Sequence, residues 1–118
     1  KGIEVTMIEI IVKEYLSKQL EIEVVTERSD AKMKKYLLIE KTGSSRENFI
    51  DTATITIQSY AESMYEAAVL NERVKKVMDD IAVLSNVSKS ELNSDYNFTD
   101  TTKKEYRYQA VYDITYFY

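Results

Sequence analysis

Apolar and polar positions change rhythm once in this chain, near residue 63, and the rest is organised around that change. Between Phe49 and Tyr60 residue types alternate with period two: Ala53, Ile55 and Ile57 fall on one side, Thr52, Thr54, Thr56 and Gln58 on the other. This predicts a β-branched strand with one buried face. From Ser63 onward, Met64, Ala67, Ala68, Asn71, Val74, Val77, Met78, Ile81 and Leu84 recur at helical spacing, which predicts an α-helix reaching Leu84. Its other side carries Glu66, Glu72, Arg73, Lys75, Lys76, Asp79 and Asp80. These are spaced to pair Glu72 with Lys75 and Lys76, Lys75 with Asp79, and Lys76 with Asp80. Such a helix must lay its apolar side on a sheet, and the strand before it supplies one.

The same reading extends to both ends. Thr6-Met-Ile-Glu9 has the form of a capping box, and Ile8, Ile11, Val12, Tyr15, Leu16 and Leu20 follow as a stripe, predicting a helix over about Thr6–Lys18. Glu21–Thr26 alternates as a short strand, and the charged run Glu27–Lys35 reads as a solvated loop. Tyr36–Thr42 is apolar enough on both faces for a central or covered strand. Thr42-Gly-Ser-Ser-Arg-Glu-Asn48 then reads as an extended loop joining two antiparallel neighbours, with Gly43 free to take positive φ. Asn86 sits where a helix C′ residue is expected, and Val87–Leu92 as a short strand. Asn93–Glu105 reads as a long turn or loose hairpin tip. The last strand, Tyr106–Tyr118, sets Tyr106, Tyr108, Ala110, Tyr112, Ile114, Tyr116 and Tyr118 on one face. Arg107, Gln109, Val111, Asp113, Thr115 and Phe117 occupy the other. The expected fold is a single α+β domain over residues 1–118, ordered α-β-β-β-α-β-β, with a mainly antiparallel sheet and both helices on one face.

Composition narrows function mostly by exclusion. The 118 residues are 44% hydrophobic and 31% charged, an ordinary composition for one folded domain. There is no Cys and no His, which removes thiol nucleophiles, imidazole bases, and thiolate or imidazole metal sites. With Gly43 the one glycine away from the start, no glycine-rich phosphate cradle exists. The expectation is therefore a protein that is not an enzyme and holds no cofactor or metal. Net charge is −4, without the basic excess of a nucleic-acid binder. No apolar run reaches membrane-spanning length, and the start has no secretory h-region.

Candidate sites compete with plainer readings. Five of the chain's ten tyrosines lie in the last strand, and they serve either as an interface or as cover for the helix side of the sheet. The half-apolar second face of that strand points to burial against a partner. Arg46 and the amides of the Gly43–Asn48 loop either bind an anion or form a solvated turn. The acids Glu21, Glu23, Glu27 and Asp30 lack ordered ligand spacing and read as a solvated face. Lys103, Lys104 and Arg107 with nearby tyrosines resemble a nucleic-acid face, but Asp95, Asp100, Glu105 and Asp113 offset them. Asn86-Val-Ser88 and Asn97-Phe-Thr99 match the glycosylation pattern, which is common by chance.

The run Glu40–Ser63, the helix after it, and the stretches Glu91–Asp100 and Arg107–Asp113 resemble the tail-terminator and tail-completion (head-tail joining) proteins of long-tailed bacteriophages. The resemblance covers most of the chain from about residue 6, and its motifs are a Thr-Gly-x-x-Arg turn and a strand running into a helix. It implies a structural virion protein, assembled in the host cytoplasm, that caps the tail tube as a ring, typically a hexamer. Its implied partners are other copies of itself, the tail tube protein and a head-completion or connector protein, with no membrane. DNA would pass through the ring without sequence-specific binding. The regions expected to make contacts are Gly43, Ser44, Ser45, Arg46 and Asn48, and the second face of the last strand, Arg107, Gln109, Val111, Asp113 and Phe117. Arg46 is expected to make a charged contact with a neighbour. Two other readings stand beside this one: a neck protein on the head portal, and a small α+β ligand-binding or regulatory module.

Overall fold

The computed structural model describes residues 7–27, 34–48 and 50–117. Its elements are α1 (Ile8–Leu20), β1 (Val24–Val25), β2 (Tyr36–Glu47), β3 (Ile50–Ala61), α2 (Met64–Met78), a 3-10 turn (Ile81–Val83), β4 (Val87–Asn97) and β5 (Tyr106–Tyr116). The order is the α-β-β-β-α-β-β arrangement that the periodicities predict. The strands form one sheet ordered β1-β2-β3-β5-β4, antiparallel except where β1 runs parallel to β2. Because β4 and β5 form a hairpin whose second arm pairs with β3, the last strand becomes central and β4 an edge. No helix among the described residues is long and apolar enough to cross a membrane.

One face of the sheet holds the core. Leu37 and Ile39 of β2, Ala53, Ile55 and Ile57 of β3, and Ala110, Tyr112, Ile114 and Tyr116 of β5 are buried there. Against them lie Ile8, Val12, Tyr15, Leu16 and Leu20 of α1, and Leu70, Val74 and Met78 of α2. Tyr15 ties the helices together by donating from its hydroxyl to the Val77 carbonyl at 2.9 Å. Removal of this much apolar surface from water is the main force holding the layers together. The start of α2 is set by Ser63, whose Oγ accepts from the Glu66 amide at 3.1 Å while the Glu66 carboxylate accepts from the Ser63 hydroxyl at 3.2 Å.

Several boundaries differ from expectation for local reasons. Helix α1 begins with Met7 as N-cap and runs on to Leu20, where Glu21 turns the backbone left-handed (φ 51°). That conformation uses up the start of the expected Glu21–Thr26 strand, leaving Val24–Val25. Thr6 of the expected capping box lies outside the described residues. Helix α2 stops at Met78, not Leu84. Asp79 and Asp80 are poor helix formers at the negative end of the helix dipole, and Ile81 reaches the core from a 3-10 turn instead. Asn86 is accordingly not a helix cap. It belongs to the turn into β4, where its carbonyl accepts from the Phe117 amide at 2.9 Å. Leu70 joins the buried stripe, whereas Met64 is exposed.

The largest correction concerns residues 42–48. The Gly43–Asn48 stretch is not a loop: β2 continues to Glu47 and pairs residue by residue with β3, from Gly43 opposite Thr54 to Glu47 opposite Ile50. The register shifts at Thr42, a bulge, and Gly43 keeps negative φ, so its conformational freedom is not what the turn uses. Asn48, at φ 52°, takes the left-handed position at the hairpin end. Likewise β4 runs past the expected Leu92 to Asn97, and the hairpin tip narrows to residues 98–105. There Asp100 pairs with Glu105 and its Oδ1 accepts from the Thr102 and Lys103 amides. Phe117 falls beyond the end of β5, and Tyr118 lies outside the described residues.

Candidate functional site: the open sheet face and the β2–β3 arm

Both helices cover one face, so the other is where strand side chains meet solvent or a partner. On β3 that face carries Thr52, Thr54, Thr56, Gln58 and Tyr60, and on β5 Arg107, Gln109, Val111, Asp113 and Thr115. The expected alternation therefore holds for four of the five β5 contact candidates, with Phe117 exposed just outside the strand. The five in residues 43–48 form a separate group on the β2–β3 arm, where every residue from Glu40 to Asn48 is exposed. Along β3 the partner of Arg46, Asp51, lies nine positions from the partner of Arg107, Tyr60. At ~3.4 Å per residue Arg46 and Arg107 are about 30 Å apart, whereas Gly43 faces Thr54, the β3 partner of Asp113, so the two groups approach each other at that end. Ser44 and Arg46 share the face of Asp51, Ala53 and Ile55, opposite to that of Arg107, while Gly43 and Ser45, facing Thr54 and Thr52, share the open face.

On the arm, Arg46 grips Asp51 with two bonds, Nε to Oδ1 at 2.7 Å and Nη2 to Oδ2 at 3.0 Å. The guanidinium fork matches the carboxylate plane, which favours this geometry over any single contact. The bond from Arg46 holds the Asp51 carboxyl below the ordinary carboxylate range. Arg46 remains 65% exposed in its side chain, so it presents a fixed cation and not a loose one. Ile50, 54% exposed, stands opposite Glu47 at the end of the same arm.

On the open face, polar side chains are joined in a directed chain. Arg107 Nη1 donates to the Tyr60 hydroxyl at 2.9 Å, and that hydroxyl donates to Gln58 Oε1 at 2.8 Å. Gln58 Nε2 donates to Gln109 Oε1 at 2.8 Å, and Gln109 Nε2 donates to the Tyr96 hydroxyl. Each group accepts from one neighbour and donates to the next, an arrangement in which successive bonds polarise one another. Arg107 also lies over the Phe98 ring at 4.6 Å and the Tyr60 ring at 5.6 Å, and its Nε donates to the Phe98 carbonyl at 2.7 Å. Tyr36 stacks on the far side of Tyr60 with centroids 4.6 Å apart. Further along, Asp113 accepts from Thr54 Oγ1 and from Asn93 Nδ2, each at 3.0 Å.

Arg107 and Gln109 were expected here from the alternation. Gln58, Tyr60, Tyr96 and Phe98 belong with them and were not singled out as a group. The signal was a glutamine in a threonine strand, and it becomes readable only with the cross-strand register that sets Gln58 opposite Gln109. Elsewhere, no three acidic side chains among the described residues are grouped to hold a metal ion. Glu21, Glu23 and Glu27 are exposed, and Asp30 lies outside the described residues. Lys103 and Lys104 are exposed at the hairpin tip, while Arg107 is engaged within the fold and not held out as part of a basic patch. The tyrosine row divides: Tyr112 and Tyr116 are buried beneath the helices, and Tyr106 and Tyr108 are half-buried.

Comparison with protein-family models and with curated proteins finds no match for this chain.

Proposed function

We propose that this chain is a structural protein of a tailed phage particle, closing the end of the tail tube as an oligomeric ring and joining tail to head. The observation that carries the reading is the pair of unlike surfaces. One is an exposed arm with the Arg46–Asp51 fork, and the other is an ordered polar face around Arg107 and Gln109, at the other end of the sheet from that fork and on the opposite side from it. Unlike patches of this kind suit head-to-tail contacts, which close into a ring when the rotation between subunits allows it. A net charge of −4 suits a channel that lets DNA pass without holding it. The family resemblance of residues 40–63, the helix after them, and residues 91–100 and 107–113 supplies the identity of the tube and head as partners.

The test is electron microscopy of particles assembled without this gene product. Tails of uncontrolled length, or finished tails detached from full heads, are expected. Particles with tails of correct size joined to heads would sink the proposal. Within it, Arg46→Ala removes the arm's cation, and because the pair with Asp51 is exposed the fold should be retained. Normal head-joined tails from that variant would remove Arg46 from the contact while leaving the ring itself standing.

A further inference from the structure

At the Arg107 end of the open face the sheet and the residues flanking it border an open surface cavity of about 430 Å3, lined by Glu27, Leu38, Glu40, Gln58, Phe98 and Arg107 among others. Its floor is firm: Leu38 and Gln58 are buried, and Gln58 is held by Gln109 and Tyr60. The charges around it are unequal in availability. Arg107 is occupied by the Phe98 carbonyl, the Tyr60 hydroxyl and Glu105, whose carboxylate lies 3.7 Å from it and balances its charge. Glu27 and Glu40 have neither a side-chain hydrogen bond nor an ion pair among the described residues, and both are exposed. Among the described residues that line the cavity, the charge without a partner is therefore that of two carboxylates, so the complementary guest is a cation.

The backbone beside the cavity says how that cation would arrive. Strand β1 pairs with β2 only at Leu37 and Leu38, so from Ile39 to Glu47 the outer edge of β2 has no strand against it among the described residues. Leu38 and Glu40 share the open face, and a strand laid on that edge would point alternate side chains toward the cavity. Main-chain bonds at a sheet edge combined with a pocket for alternate side chains is a recurring mode of peptide recognition. We propose that this cavity receives the arginine or lysine side chain of an extended segment of a partner protein, which adds as a strand to the free edge of β2, with Glu27 and Glu40 as the counter-charges. The inference does not depend on the phage reading, because it concerns what the cavity recognises and not where the protein is assembled.

The test is a titration of the isotope-labelled chain at low salt, followed by NMR. The probes are an acetylated, amidated pentapeptide of threonine and valine with a central arginine, the same peptide with citrulline or glutamate at the centre, and agmatine. The arginine peptide should shift the resonances of Leu38, Gln58 and Phe98 saturably. Citrulline, isosteric but uncharged, should bind at least tenfold more weakly, and the glutamate peptide not at all. Glu27→Gln and Glu40→Gln should each weaken the arginine peptide several-fold without moving Tm, since both side chains are exposed and unbonded. Equal binding of the citrulline peptide, or indifference to both substitutions, would overturn the assignment. So would agmatine binding as tightly as the peptide, which would make this a site for a small cation instead. Absence of any saturable shift would end it as well.

Discussion

The glutamine pair at the centre of the open face offers the sharpest check on whether that face is a built network or a chance set of contacts. Gln58 and Gln109 are 8% and 9% exposed although no helix covers them, and they sit directly opposite each other across β3 and β5. Truncating Gln58 to Ala removes the bond to Gln109 and the one from Tyr60, each worth about 1 kcal/mol net. It also strands the Gln109 carbonyl in a poorly hydrated place and takes Gln58 Oε1 from the Tyr60 hydroxyl, which keeps its bond from Arg107, so the total cost should be about 2–4 kcal/mol. For a domain of this size, roughly 4 °C accompanies each kcal/mol. Gln109→Ala should cost about as much, because it releases Gln58 and Tyr96 together. The double variant loses the shared bond only once and leaves fewer orphaned groups, so it should fall short of the sum by about 1–2 kcal/mol. Urea denaturation of the four proteins at one pH gives this coupling directly. Strict additivity, within about 0.5 kcal/mol, would mean that the two amides do not act as a unit. A second arm sharpens the test: replacing both by Leu removes donors and acceptors together and should cost much less than either Ala change.

Two further outcomes follow from the helix-covered side. The Tyr112 hydroxyl is buried with no protein hydrogen-bond partner among the described residues, so Tyr112→Phe should be neutral or stabilising by up to about 1 kcal/mol, read from the urea midpoint. Burial, with Asp79, Asp95 and Glu72 adding to it, pushes that phenol well above its ordinary value, and burial with Asp80 also raises Tyr15. For a phenol raised in the folded state, stability is full below the unfolded value of about 10 and is lost as pH rises past it, because only the unfolded chain ionises readily. Between pH of about 8 and 11, Tyr112→Phe should therefore lose less stability than the parent. An equal or greater loss would show that the hydroxyl is solvated after all. Ser63→Ala deletes the cap of α2 and should cost about 1 kcal/mol, with Ser63→Asp restoring most of it; helicity by circular dichroism and Tm would record both.

The element order was legible because each long segment obeys a single period and the core rests on it. Ala53, Ile55 and Ile57 alternate into the core just as the spacing demands, and Val74 and Met78 lie where a helical stripe puts them. Boundaries failed where local composition and tertiary pairing disagree. Thr42-Gly-Ser-Ser has the chemistry of a turn, yet opposite it stand Thr52, Ala53 and Thr54, already extended in β3 and in register to pair, and the ladder prevails over local preference. The apolar rhythm overextends the helix because Ile81 and Leu84 keep it after the backbone has left the helix at Met78. Periodicity reports which residues face the core, not which hydrogen bonds hold them there. The Ser-x-x-Glu spacing of Ser63 and Glu66 carries the α2 cap, a signal that the reading by period passes over, whereas the open-face network depends on which residue of β5 stands opposite Gln58.

That network also bears on how the protein can meet a partner. A surface whose side chains are free in the unbound protein must order them on contact, at about 0.5–1.5 kcal/mol for each long side chain. Here Gln58, Gln109, Tyr60 and Arg107 are already held by one another, and Arg46 is already held by Asp51. Docking on either surface would thus forfeit little side-chain entropy, and weak individual contacts could still add up across an assembly. The same order has a converse. A side chain that must leave its bond to reach a partner gives that bond up, so Arg46 fits best as a cation recognised together with Asp51 and not as a free charge released on contact. The Arg46–Asp51 fork and the Arg107 network are unlike in chemistry and lie on opposite faces, so a contact that set one upon the other would join copies head to tail. In such a contact the twist of the sheet between the two surfaces would help set the angle at which one subunit follows another.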